Sequence, residues 1–115
     1  MFTQTELEYI RSQKLARIGT ASAEGRPDVA AVAFDFDGEY FYISGYVNQR
    51  THKYRNTKAN PRASLVIDDL ASERPWKPRG IKLFASVDFV QRSGYVGEKE
   101  YLRLKPLRKH AWGLD

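Results

Sequence analysis

The chain has 115 residues, 19 of them Lys or Arg and 14 Asp or Glu, which gives a net charge of +5 and a pI near 9.6. This length predicts one domain, residues 1–115, which buries roughly two thirds of its unfolded surface and gains stability from self-association. The lack of cysteine excludes a disulfide framework, a thiolate metal site and a cysteine nucleophile, and it favours a reducing, cytoplasmic setting.

Charge and hydropathy narrow the classes of partner. A basic chain suits nucleic acid, an anionic membrane surface or a small anionic molecule. No apolar run approaches the roughly 18 residues of a membrane-spanning helix, and the first residues lead into a capped helix rather than a signal peptide. We therefore expect no membrane partner. His52 and His110 stand in unrelated contexts, and no metal site is expected.

Capping signals predict a first helix over residues 4–12. Thr3 and Glu6 have the spacing of a capping box, and Phe2 and Leu7 have that of a hydrophobic staple. Such a helix packs its apolar face on a sheet.

Three β-strands are predicted next, over residues 15–20, 29–36 and 40–44. A turn at 23–27 separates the first two, and the Asp37-Gly38 pair is a type I′ hairpin signal between the second and the third. The second strand has small side chains at its centre. They either let a ligand come close or relieve crowding inside a barrel.

The most basic part of the chain lies between residues 40 and 67, which contain no Asp or Glu. A polar loop at 48–51 opens a helix, and Pro61 ends it because proline disfavours helical conformation in the residue before it. Unpaired N–H groups and the positive dipole end at the helix start predict a phosphate site at Thr51, His52 and Lys53. The alternative is that this helix is only a solvated surface with five cations, Arg50, Lys53, Arg55, Lys58 and Arg62.

The second half of the chain predicts three more strands. They cover residues 63–67, 81–90 and 107–112, and residues 98–105 form either a short helix or an extended segment. Residues 69–78 are expected to be a loop, in which Trp76 between two prolines is a lid over a pocket or a plug for a partner's groove. Six strands with two short helices predict a mainly β fold, a small antiparallel barrel.

Several short motifs follow one another along nearly the whole chain: Leu15-Ala16-Arg17-Ile18-Gly19-Thr20, Gly25-Arg26-Pro27, Thr51-His52-Lys53, Asn60-Pro61-Arg62-Ala63-Ser64-Leu65-Val66, Asp68-Asp69, Pro75-Trp76-Lys77-Pro78-Arg79-Gly80, Pro106-Leu107-Arg108 and Trp112-Gly113. Their order and spacing resemble those of the pyridoxamine 5′-phosphate oxidase-like superfamily of FMN-binding split β-barrels. The chain is most similar to the subgroup of oxidoreductases that use the deazaflavin coenzyme F420. The resemblance implies a six-stranded antiparallel split β-barrel that forms a homodimer, with the cofactor in the groove between the subunits.

The resemblance also implies which residues bind the cofactor. Lys53 falls where the family holds the flavin phosphate, with Arg50, Thr51 and His52 beside it. The family lines the ring largely with backbone, at positions that match Ala30, Ala31, Val32, Ala33, Ser44 and Gly45. Candidates to reach the groove are Trp76, Arg79, Arg108 and Trp112, although packing in a dimer core is an equal interpretation for the two tryptophans.

The function that the resemblance implies is hydride transfer between coenzyme F420, preferred over FMN, and a small organic substrate. The cofactor supplies the chemistry, so no catalytic side chain is expected. Because the chain ends at Asp115, we do not expect the pyridoxamine phosphate oxidation of the longer oxidase branch. One alternative is a non-catalytic barrel that binds or shields a flavin-type ligand. Nucleic-acid binding is disfavoured, because Tyr54 is the only aromatic residue in the basic helix.

Overall fold

A computed structural model describes residues 1–45 and 50–114, so the predicted loop at 48–51 lies partly outside the described residues. Within them the chain forms two α-helices and seven β-strands. The helices are α1 (Gln4–Ser12) and α2 (His52–Ala59); the strands are β1 (Leu15–Ala21), β2 (Pro27–Ala33), β3 (Asp35–Phe36), β4 (Phe41–Ile43), β5 (Arg62–Glu73), β6 (Trp76–Gly94) and β7 (Gly97–Trp112).

Helix α1 begins with the predicted capping box. The Thr3 hydroxyl accepts a hydrogen bond from the Glu6 N–H over 3.1 Å, and the Thr3 N–H donates to the Glu6 carboxylate over 2.9 Å. The buried face of the helix carries Glu6, Tyr9 and Ile10, and Glu6 also accepts a hydrogen bond from Lys109 of β7. The capping box therefore both starts the helix and attaches it to the sheet.

All seven strands form one antiparallel sheet in the order β2-β1-β5-β6-β7-β4-β3. The two edge strands, β2 and β3, follow each other along the chain with only Phe34 between them. One bent segment thus supplies both edges, and the sheet rolls into a split β-barrel. The predicted six-stranded barrel is confirmed, with its second strand divided at Phe34. Its interior includes Ala16, Ile18, Val32, Phe41, Ile43, Leu65, Ile67, Ile81, Leu83, Leu102 and Leu104.

The turn between β3 and β4 differs from the prediction. A type I′ turn needs positive φ at both central residues, whereas here only Gly38 has it, at +99°. The Asp37 carboxylate instead accepts hydrogen bonds from the N–H groups of Glu39 and Tyr40, over 2.9 and 2.7 Å. The predicted hairpin forms, but the type I′ assignment is wrong.

The predicted loop at 69–78 is also wrong. Strands β5 and β6 continue through this region as a hairpin, in which Glu73 pairs with Trp76 and Leu70 with Pro78. Pro78 fits in the strand because β7 joins β6 only from Gly80 onwards, so a residue without an N–H can face the free edge. Trp76 lies at the tip of this hairpin and is 67% exposed.

Strand β7 combines two segments, 98–105 and 107–112, that were predicted as separate elements. Residues 98–105 are extended, and they continue through Pro106 into the predicted last strand. The register with β6 shifts between Phe84 and Ala85, next to the partner of Pro106, and proline is tolerated at such irregularities. The two helices that the structure describes are too short and too polar to cross a bilayer.

Candidate functional site

Helix α2 is attached to the end of the barrel through β1. The side-chain amide of Asn56 donates a hydrogen bond to the Thr20 hydroxyl over 3.0 Å, and both residues are buried. On β2, Asp28 is the direct partner of Thr20. Lys53 precedes Asn56 by three residues, so both side chains project from the same face of the helix towards these strands.

Lys53 is the buried cation of this region. It is only 8% exposed, and its ammonium forms no hydrogen bond or ion pair with any residue in 1–45 or 50–114. Burial lowers the pKa of the Lys53 ammonium, and the charge of Asp28 raises it in part. A buried, unpaired cation is costly, and an anion bound beside it would offset that cost.

The other residues at the helix start have different roles. The Thr51 hydroxyl is the N-cap and accepts a hydrogen bond from the Tyr54 N–H over 3.2 Å. Arg50 and His52 are exposed. The first turn of α2 contains no acidic residue, so the helix itself does not neutralise its positive dipole end.

Strand β2 presents its four predicted residues on two faces. Ala30 and Val32 face the barrel interior, whereas Ala31 and Ala33 are exposed. Because β2 is an edge strand, every second pair of its backbone N–H and C=O groups points away from β1. Small side chains beside an open backbone edge leave room for a planar ligand.

Ser44 and Gly45, at the end of β4, are held by Tyr95 and β7. The Tyr95 hydroxyl accepts from the Ser44 N–H and donates to the Ser44 carbonyl, and the Ser44 hydroxyl donates to the Glu100 carbonyl over 2.9 Å. Burial raises the pKa of Tyr95 to about 12. The sequence does not reveal this role of Tyr95, because 51 residues separate it from Ser44.

Trp76 and Arg79 line a groove of about 820 Å³ between α1 and the β5–β6 hairpin. Arg79 donates two hydrogen bonds to the Asp69 carboxylate, over 2.8 and 3.0 Å, and the Tyr9 hydroxyl donates to the same carboxylate over 2.8 Å. The charge of Arg79 is therefore neutralised by a residue of the same chain.

Arg108 and Trp112 lie on the outer face of the sheet. We define this outer face by two rows of paired residues, Val29-Gly19-Ser64-Phe84-Arg108 and Ala31-Arg17-Val66-Lys82-His110. The Arg108 guanidinium lies 5.1 Å from the centre of the Phe84 ring. The Trp112 ring stacks on His110 and packs directly over Gly80. A Cβ added to Gly80 would lie 2.6 Å from the indole, so only glycine fits there.

A single chain thus brings together only part of the predicted site. Lys53 and the start of β2 meet at the end of the barrel, whereas Trp76 and Arg79 line the α1 groove and the Arg108–Trp112 pair lies on the outer face. The buried ammonium, the uncompensated helix start and the open edge of β2 fit a phosphate-bearing planar group. Asp68 and Asp69 face opposite sides of β5, where they pair with Arg17 and Arg79, so they do not form a carboxylate pair.

The sequence has a characterised relative. It is 30% identical, over 99% of this chain and 84% of the relative, to the 5a,11a-dehydrotetracycline/5a,11a-dehydrooxytetracycline reductase of Streptomyces rimosus.

Known structures share the fold. An F420 reductase superposes with a TM-score of 0.66 at 22% identity, over 84% of this chain and 89% of that one. The haem-storage protein HutZ of Vibrio cholerae superposes with a TM-score of 0.73 at 17% identity, over 96% of this chain and 94% of its own. At these identities the likeness concerns the fold alone. The family model of pyridoxamine 5′-phosphate oxidase matches residues 2–111, and the chain therefore belongs to that family.

Proposed function

We propose that the protein is an oxidoreductase in which a homodimer holds a flavin-type cofactor, coenzyme F420 in preference to FMN, next to Lys53. The enzyme class is supported by the named reductase among its relatives. When bound, such a cofactor supplies hydride transfer at its ring, and the protein binds, orients and shields it.

The observation that carries this proposal is the burial of Lys53 with no hydrogen bond or ion pair to its ammonium from the described residues. A lysine held in this way destabilises the barrel unless an anion accompanies it. The adjoining helix start offers N–H donors and a positive dipole end, which favour phosphate. Lys53 is therefore assigned to hold the phosphate of the cofactor.

The ring of the cofactor is assigned to the free edge of β2. Backbone groups on that edge can hydrogen-bond the polar atoms of a ring system, and the exposed Ala31 and Ala33 leave space beside them. Tyr95 fixes the backbone at Ser44, so this segment keeps one geometry. None of these residues has to give or accept a proton.

A second copy of the chain is assigned to the outer face of the sheet. This face exposes Val29, which is 72% accessible, together with Phe84 and the neighbouring Leu15 and Leu107. Exposed apolar residues that gather on one face favour a protein interface. The partner copy would exclude water from the cofactor groove, and it could bring Trp76, Arg108 or Trp112 into that groove.

The substrate class that we propose is a small unsaturated organic compound. This assignment is by analogy with the relative that reduces dehydrotetracyclines. A cavity of about 590 Å³ on the outer face is lined by Phe84 and Leu107, which suit the apolar part of a ring compound, and by Arg62 and Arg108, which suit its oxygen atoms.

Fluorescence titration of the purified protein with coenzyme F420 and with FMN tests the proposal. We expect saturable binding of both, with F420 bound more tightly, and turnover when the reduced cofactor meets a panel of unsaturated acceptors. Binding without turnover on any acceptor would favour the non-catalytic barrel. Failure of both cofactors to bind would refute the proposed function.

A further inference from the structure

We infer that Asp28 makes the anion site select a phosphodiester over a terminal phosphate monoester. This inference rests on the proposed function, because it concerns the same site beside Lys53. It goes further by naming the residue that distinguishes one class of flavin-type cofactor from another.

Asp28 lies close enough to Lys53 for its negative charge to act on a phosphate bound there. Asp28 is the strand partner of Thr20, and Thr20 accepts a hydrogen bond from Asn56 of α2. Asn56 and the buried Lys53 lie on the same face of α2, so Asp28 lies next to that face. Asp28 is half-buried, and its side chain forms no ion pair or hydrogen bond with another described residue. Its negative charge acts on Lys53, whose pKa it raises.

The formal charges at this site nearly cancel before any ligand binds. Lys53 contributes +1 and Asp28 contributes −1, and the start of α2 adds the equivalent of roughly +0.5. A ligand group with one negative charge is close to balanced by this arrangement. For a group with two negative charges, the attraction to Lys53 and the repulsion from Asp28 both double. The cost of removing the group from water rises about fourfold, so a nearly neutral site favours the singly charged group.

FMN and coenzyme F420 differ in the charge of their phosphate groups. A phosphate monoester carries a charge of about −1.5 to −2 at pH 7, because its second pKa is about 6. FMN ends in such a monoester, whereas the phosphate of coenzyme F420 is a diester with a single negative charge. Asp28 therefore disfavours FMN more strongly than F420.

A matched pair of ligands isolates this effect from the ring and the tail. FMN and its O-methyl phosphodiester share the same isoalloxazine and ribityl groups and differ by about one charge at the phosphate. Their dissociation constants are to be measured by flavin fluorescence for the unmodified protein and for Asp28→Asn, which keeps the size of the side chain. Glu39→Gln makes the same change in net charge on the exposed β3–β4 turn and serves as the control.

We expect the unmodified protein to bind the methyl ester more tightly than FMN. Asp28→Asn should tighten FMN by about tenfold and the methyl ester by about threefold, so that the preference shrinks by about threefold. Glu39→Gln should leave the preference unchanged. A preference that Asp28→Asn does not alter, with both ligands still bound, would overturn this inference alone. Binding of neither ligand by any variant would overturn the proposed function and this inference with it.

Discussion

The hydroxyl of Tyr95 contacts both backbone polar groups of Ser44, since it accepts from the N–H over 2.7 Å and donates to the carbonyl over 2.8 Å. Ser44 is buried, so no water can replace these bonds. Tyr95→Phe should therefore lower the free energy of unfolding by about 1 to 3 kcal/mol, measured by urea denaturation. Tyr40→Phe, at the half-buried end of the β3–β4 turn, removes a hydroxyl that bonds no buried backbone group of the described residues and should change it by less than about 0.5 kcal/mol. Equal effects of the two substitutions would contradict the role given to Tyr95.

Stability at high pH should depend on the same tyrosine. Burial raises the pKa of Tyr95 to about 12, above the value of about 10 expected in the unfolded chain. As the pH rises, Tyr95 therefore loses its proton in the unfolded chain before it does so in the folded protein. The contribution of Tyr95 to the free energy of unfolding is complete below about pH 10 and is lost as the pH rises towards 12. Thermal melts between pH 8 and 12 should show a steeper loss for the unmodified protein than for Tyr95→Phe. Parallel pH profiles would contradict the burial of this phenol.

Replacing Lys53 with methionine should stabilise the protein that has no ligand. Methionine is only one atom shorter than lysine, and it removes a buried charge that forms no hydrogen bond or ion pair with a described residue. We expect the free energy of unfolding to rise by about 1 to 3 kcal/mol for Lys53→Met. Arg55→Met, at an exposed position of the same helix, should have little effect. A destabilised Lys53→Met would show that the ammonium already has a partner.

Elements with strong local signals could be predicted from the sequence. The capping box defined α1 to the residue, and Pro61 correctly placed the end of α2 at Ala59 with Asn60 as its C-cap. The apolar alternation of residues 81–90 identified the central part of β6. In these elements local propensity and the tertiary structure favour the same conformation.

The errors arose where a strand continues past a residue that usually ends one. Pro78 and Pro106 suggested breaks, but each lies on a strand section that has a neighbour on only one side. Which edge of a strand is free depends on strand order, which the local sequence does not contain. The two hydrogen bonds between Tyr95 and Ser44 were missed because they join residues far apart in the sequence. Pro61 and the lack of acidic residues marked the helix that begins with Thr51, His52 and Lys53, whereas Lys53 alone was singled out by the resemblance to the family.

The outer face should control the oligomeric state. Val29→Asp places a charge among the exposed apolar residues of that face, and we expect it to convert a dimer into a monomer in analytical ultracentrifugation at micromolar concentration. Gln91→Asp, at an exposed polar position of β6, is the control and should leave the dimer intact. A Val29→Asp protein that remains dimeric would move the interface to another surface.

Acid stability should depend on Asp69. Hydrogen bonds from Arg79 lower the pKa of the Asp69 carboxyl, so its contribution to stability is present above the unfolded value of about 3.9 and is lost as the pH falls further. Asp69→Asn should be less stable at pH 7 and should lose less stability between pH 5 and 2 than the unmodified protein. Circular dichroism during acid titration provides the measurement. Identical acid transitions would show that the pair with Arg79 is absent in solution.

The assignment of Lys53 as the anchor of an anionic cofactor is tested most directly by calorimetric titration of coenzyme F420 into the unmodified protein, Lys53→Met and Arg55→Met. A charge-assisted bond to phosphate predicts that Lys53→Met weakens binding by about 1.5 to 3 kcal/mol, while Arg55→Met binds almost as well as the unmodified protein. Equal affinities for all three proteins would contradict the account.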